Sequence, residues 1–182
     1  ALSQNLKKSE AIEFLQSGLA YTTEEETDLR LQMHILLGDL YHQQQNHLLS
    51  DKNYSDALKI QPSNALVLNN YAYYLGLRNQ ELDRALGMSR RALEIEPDNA
   101  SYLDTYAWVL YTMGRYADAL EPMTKALQLS PENATMLDHY GDILYRNNQT
   151  EAAKAQWAKA LQFDEGNLEI QSKLRSGLPI RP

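Results

Sequence analysis

Any chemistry in this 182-residue chain has to start from four histidines and a scatter of acidic side chains. The histidines are His34, His42, His47 and His139. His42 could bind a metal together with Asp39 and a neighbour, but no established ligand spacing surrounds them. Asp138 and Asp142 stand four apart, which places both carboxylates on one face of a helix. Such a pair can do acid–base work or bind Ca²⁺. No glycine-rich loop accompanies them, so a solvated acidic face is the reading the residues favour. The glycines of "GLRNQ" and "GMSRR" are single and form no phosphate-binding loop. There is no cysteine, which excludes disulfides, thiol catalysis and Cys-ligated zinc. No catalytic, metal or cofactor site is expected, and the chain reads as a non-enzyme.

The composition suits a folded domain. Hydrophobic residues make up 43% of the chain, enough for a substantial core. The formal net charge of −7 argues against nucleic acid, because phosphate binding needs clustered Lys and Arg. No apolar run approaches the roughly 18 residues of a membrane span. The chain starts at Ala1 rather than Met, which points to a processed or excised N-terminus.

The elements that would position these residues emerge from internal repetition. The strings "ALKIQPSNA", "ALEIEPDNA" and "ALQLSPENA" align, and their prolines, Pro62, Pro97 and Pro131, are separated by 35 and 34 residues. Upstream of each lie two amphipathic stretches joined by a short polar turn. Small residues recur in the first stretch at Gly38, Ala72, Ala107 and Gly141, and in the second at Ser50, Ala85, Ala119 and Ala153. A residue four further on, Tyr54, Ser89, Met123 or Trp157, precedes Ala57, Ala92, Ala126 or Ala160. Two helices approach closely only where one side lacks bulk, so the small residue faces the partner's large one. Proline then ends the second helix, and Asn or Asp after it can cap the next.

This pattern resembles the tetratricopeptide repeat (TPR), and the resemblance covers most of the chain. It implies an all-α, right-handed α-α superhelix of about ten helices in one domain. Four full repeats span 31–64, 65–99, 100–133 and 134–167. The second carries one extra residue in its turn near Asn79–Glu81, and the last has Glu165 where the others have proline. Residues 4–20 read as the second half of an earlier repeat, with Ala11, Leu15 and Leu19 in register. Thr23 and Glu26 read as a capping box before a first helix longer than its equivalents. Residues 167–177 read as a capping helix stopped by Gly177 and Pro179. Pro122, inside a second helix, should kink it.

The resemblance also assigns directions to side chains. Positions four and seven pack inside each hairpin, which makes Tyr106 core. Trp157 should seat against the C-terminal cap. Positions lining the concave surface hold Asn69, Asn70 and Tyr73, then Asp104, Thr105, Trp108 and Tyr111, then Asp138, His139, Asp142, Tyr145 and Arg146. Trp108 either faces the groove or fills space between helices. Asn70 stands where the family often uses Asn to hydrogen-bond a ligand backbone. Asp104, Asp138 and Asp142 make the groove acidic, which favours a basic partner segment or a free amino terminus. The Lys and Arg residues with which the family clamps a C-terminal carboxylate are absent from the middle repeats.

The implied function is protein–protein interaction: a scaffold or adaptor that takes a peptide or helix in an acidic, aromatic groove. The alternatives are a self-associating structural module, or a regulatory or assembly part of a larger bacterial protein. Resemblance to bacterial multi-repeat proteins leaves both the cytoplasm and the periplasm or envelope open. Neither nucleic acid nor membrane insertion is expected of this segment.

Overall fold

A computed structural model describes residues 2–179, with side chains from Lys7 onward. The side chains of residues 4–6, at the start of the expected half-repeat, lie outside the described residues. Among the described residues there are ten helices and no strand: α1 (Leu2–Tyr21), α2 (Thr27–Gln43), α3 (His47–Ile60), α4 (Ala65–Leu77), α5 (Leu82–Ile95), α6 (Ala100–Thr112), α7 (Tyr116–Leu129), α8 (Ala134–Arg146), α9 (Thr150–Phe163) and α10 (Leu168–Ser176). None of these is long and apolar enough to cross a membrane. The helices stack as a right-handed α-α superhelix, with hairpins α2/α3, α4/α5, α6/α7 and α8/α9.

Each hairpin turn is built the same way. The residue after the helix end is left-handed: Gln45 at φ 60°, Asn79 at 54°, Gly114 at 77° and Asn148 at 61°. The next N–H reaches back to a carbonyl one turn inside the helix, as in Asn46 to Tyr41 at 2.9 Å and Arg115 to Leu110 at 2.9 Å. This satisfies carbonyls that a helix end otherwise leaves unpaired. The extra residue of the second hairpin lies here. Gln80 and Glu81 separate Asn79 from α5, and Glu81 takes a second left-handed φ of 45°.

Between hairpins the chain turns at Pro62, Pro97 and Pro131. The residues before them, Gln61, Glu96 and Ser130, are extended at φ −132°, −130° and −138°. Proline imposes that geometry on its predecessor. Asn64, Asn99, Asn133 and Asn167 then cap the next helices, each side chain accepting from a first-turn N–H. Asp164 adopts the same conformation at φ −144° ahead of Glu165, so the last turn has the proline shape without the proline. Glu165→Pro is therefore expected to stabilise the chain by about 0.4–1 kcal/mol, through lost unfolded-state freedom. Urea titration beside the parent would show it as a raised midpoint.

The small-against-large logic appears directly in the packing. Tyr54, Ser89, Met123 and Trp157 have no exposed surface, nor have Ser50, Ala85, Ala119 and Ala153. A Cβ on Gly38 would come within 2.9 Å of the Tyr54 ring, and one on Gly141 within 2.3 Å of Trp157 Nε1. One buried cluster runs continuously from α2 to α8, and smaller ones close the two ends. Tyr106 is half-buried against the main cluster. Helix α7 runs through Pro122 and ends only at Leu129.

The N-terminal end differs in detail from expectation. Ile12, rather than Ala11, is the buried residue of α1, packed with Leu37 and Tyr41. Thr23 is no N-cap, because α2 begins at Thr27. The Glu26 carboxylate does accept from the Thr23 N–H at 2.8 Å, but it closes the loop ahead of the helix rather than capping it. Helix α2, at 17 residues, is longer than α4, α6 and α8 at 13.

Candidate binding face

The first helices α2, α4, α6 and α8 carry the positions expected to line the concave face, and α10 follows them in order. Side-chain hydrogen bonds join α2 to α4, α6 to α8 and α8 to α10 at the repeat spacing. Tyr74 donates to Asp39 at 3.1 Å, His139 Nδ1 lies 2.8 Å from Asp104, and Lys173 Nζ lies 2.8 Å from Asp138, each across 35 residues. Helix α10 therefore serves as a fifth first helix, and it presents Lys173 where α8 presents His139.

In this arrangement the aspartates expected to make the groove acidic are engaged within the fold. Asp104, Asp138 and Asp142 are present, but none is a free surface charge. Asp104 is buried against His139. Asp138 and Asp142 both hold the Lys173 ammonium, and Asp142 also accepts the Trp157 indole N–H at 3.0 Å. Burial works against charge on His139, but the Asp104 carboxylate outweighs it and raises the pKa. Burial pushes the Asp142 carboxyl up to about 6, helped by Asp138 and opposed by Lys173. Burial also opposes charge on Lys173, yet the two carboxylates push its pKa up to about 12. Three carboxylates thus face one ammonium and one imidazole inside the fold, and most of their charge is cancelled there. Lys173 was not among the expected groove residues. It sits six residues after Asn167, as His139 does after Asn133, and that match was the available signal.

The aromatic residues separate in a similar way. Trp108 is half-buried, stacked on His139 at 4.2 Å and on Tyr111 at 4.9 Å. Tyr111, expected to look into the groove, is only 3% exposed and serves mainly as packing. Tyr73 is half-buried beside Tyr74; burial, then the nearby Asp104 charge, raises its pKa. His42 lies flat on Tyr74 with centroids 3.6 Å apart. Thr105 and His139 are buried. Tyr145 packs on Trp157 at 5.6 Å, and Arg146 donates to the Pro179 carbonyl at 2.7 Å.

Some hydrogen-bonding capacity is left over. Asn69 donates to Asn70 Oδ1 at 3.2 Å, while its own Oδ1 is buried without a partner. The Trp108 indole N–H is likewise buried and unpaired. Of the candidate metal ligands, Asp39 is occupied by the hydroxyls of Tyr54 and Tyr74. Among the described residues, no group of three or more His, Asp or Glu is arranged to hold a metal ion.

Several solved structures share this architecture. Residues 41 to the end of MamA from Desulfovibrio magneticus RS-1 superpose with a TM-score of 0.69 at 18% identity, covering 88% of each chain. A Thermobaculum terrenum O-GlcNAc transferase mutant, K341M, gives a TM-score of 0.70 at 19% identity, over 78% of this chain and 27% of that one. The first TPR domain of Spaghetti (RPAP3), solved bound to the HSP90 peptide SRMEEVD, gives 0.57 at 20% identity, over 61% and 87%. At these identities the likeness is one of fold. No curated protein sequence matches the chain at a significant level. The tetratricopeptide repeat family model matches residues 1–164. Proteins of that family are generally scaffolds for protein–protein interaction, and with its paired helices, recurrent Gly/Ala seats and closing prolines the chain belongs to the tetratricopeptide repeat family.

Proposed function

We propose that this chain is a non-enzymatic protein-interaction module whose concave face receives an extended peptide or a helix from a partner protein. The observation that carries the reading is that two successive first helices each present a partly exposed aromatic ring, Tyr73 on α4 and Trp108 on α6. Aromatic faces supply contact area at low entropic cost. The peptide-bound RPAP3 domain supports the reading at the level of fold.

Charge contributes less to selection than the acidic composition implies. A basic segment would have to compete with Lys173 and His139 for carboxylates already held by them. Contact with the aromatic faces therefore leads, and any preference for a cation depends on the charge left uncancelled. The repeats 31–64, 65–99, 100–133 and 134–167 are the units we assign to this face.

Affinity capture from the source cell's lysate tests the proposal, with Tyr73→Ala/Trp108→Ala beside the parent. These positions are better probes than the aspartates, whose removal would disturb the fold. A protein retained by the parent and lost by the variant at unchanged circular dichroism is the expected result. Equal capture by both would remove the concave face from the account.

A further inference from the structure

Away from the concave positions, the end of α1, the start of α2 and one face of α3 enclose a cavity of about 400 Å³. Arg30, Lys52 and Lys59 line it together with one carboxylate, Asp56, so three cations face one anion in a chain whose formal net charge is −7. Leu19 and Ile60 add apolar wall. The two lysine side chains are open to solvent, 67% and 76% exposed, and both contact Asp56, at 3.1 and 2.7 Å. Burial works against charge on Asp56, but Lys59 and Lys52 outweigh it and lower its pKa. An ammonium has three donors, so each lysine keeps donors that Asp56 does not take.

This junction departs from those that follow it. One and two repeats after Asp56 stand Arg91 and Lys125, each reaching back to the loop ahead of its own hairpin. Arg91 donates to the Pro62 carbonyl at 2.8 Å and Lys125 to the Pro97 carbonyl at 3.0 Å. At the first hairpin the loop contact passes to Arg30 on α2, whose Nη1 lies 3.2 Å from the Thr22 hydroxyl and 3.4 Å from the Thr22 carbonyl. The α3 position is thereby released from latching the loop, and it carries a carboxylate bracketed by lysines. The Arg30 loop bonds all use Nη1, so the Nε and Nη2 donors remain. His34 lines the same cavity. Asn53 Nδ2 donates to the Leu49 carbonyl at 2.8 Å, so Asn53 Oδ1 is the atom 3.0 Å from His34 Nδ1, and that nitrogen carries the ring proton. Nε2 is left to accept from a ligand's O–H.

We propose that this cavity binds a small phosphate monoester with an apolar body. A guanidinium and two ammoniums around one space suit a group with several acceptor oxygens. Their surplus of two positive charges over Asp56 matches the charge of about −1.5 to −2 that a phosphate monoester carries at neutral pH. His34 Nε2 can take the proton of the monoanion, and Leu19 and Ile60 receive the apolar part. The volume falls within the range of small-molecule sites, about 300–1,000 Å³. The site uses a second helix, α3, and neither Tyr73 nor Trp108, so it stands apart from the concave face.

Isothermal titration calorimetry of the full chain with phenyl phosphate, in phosphate-free buffer at low ionic strength, tests the site. The parent should give a one-site isotherm. Lys52→Gln/Lys59→Gln should weaken binding about tenfold, the worth of one charge-assisted hydrogen bond. Lys154→Gln/Lys159→Gln removes the same charge from α9 and should leave binding unchanged. Asp56→Asn should act in the opposite direction and tighten binding about two- to fivefold, the scale of one exposed charge contact. Damage to the fold would weaken binding in either case, so the opposed signs separate a site from a structural effect. Inorganic phosphate should bind more weakly than phenyl phosphate, because it leaves Leu19 and Ile60 uncovered. Absence of an isotherm with the parent, equal losses in the two double variants, or inorganic phosphate binding as tightly as phenyl phosphate would each overturn the proposal. The capture experiment turns on Tyr73 and Trp108, so such a failure leaves the concave-face reading to be judged there.

Discussion

Replacing Trp157 with alanine is expected to cost about 3–5 kcal/mol of stability, the range for large-to-small changes in a packed core. The ring has no exposed surface and lies over Gly141, where even a Cβ would come within 2.3 Å of Nε1. Truncation leaves a cavity among Leu137, Leu144, Ala153, Ala160 and Ile170. It also takes the indole donor from Asp142, a carboxylate already burdened by burial. Trp108→Ala should cost much less, because that ring is half-exposed and its N–H satisfies no acceptor. Thermal melting of the two variants compares them directly. A larger loss at Trp108 than at Trp157 would mean that the two indoles have their roles exchanged.

Lys173→Ala carries the second large effect. Lys173 is 8% exposed, and its ammonium holds Asp138 and Asp142 together at 2.8 and 3.0 Å. Removing one partner of a buried ion pair costs about 3–5 kcal/mol, because it strands the other charge. Here two carboxylates would be stranded. The sign of the pH dependence comes from their position. Asp142 already sits at about 6, above its ordinary 3.8, and loss of the ammonium pushes it higher. A carboxyl raised in the folded state favours folding as it takes up its proton. The penalty of Lys173→Ala should therefore be largest above pH 7 and shrink as the pH falls toward 4. In the parent, the Lys173 contribution is full below 10.5 and is lost as pH rises through about 12. Urea melts of parent and variant at pH 7.5 and pH 5 check this, and a penalty independent of pH would show that the carboxylates are not stranded.

The same triad explains how much of the site could be read in advance. Packing between the helices of one hairpin was legible, because close approach admits few residue types. Gly38 beneath Tyr54 and Gly141 beneath Trp157 declare themselves by size and spacing. Helix ends were legible for a similar reason, since Pro62, Pro97 and Pro131 each restrict the residue before them and Asn64, Asn99 and Asn133 cap α4, α6 and α8. The concave positions were harder. Sequence identifies which residues belong to that face, but not which of them spend their polar atoms on the neighbouring helix. Asp138 looks like a free acid until α10 is placed beside α8, and Tyr111 looks like a groove residue until its ring is seated against Trp108 and Tyr116. Charge is especially prone to this misreading, because a carboxylate and the lysine that neutralises it lie 35 residues apart.

Site-specific photocrosslinking in the source cells tests the central claim most directly. A benzophenone side chain would be placed at Tyr73, at Trp108 and, as an outer control, at exposed Arg90 on α5. The concave-face account predicts adducts with the same partner protein from Tyr73 and Trp108 and none from Arg90. Adducts from Arg90 alone, or none from the two concave positions, would contradict it.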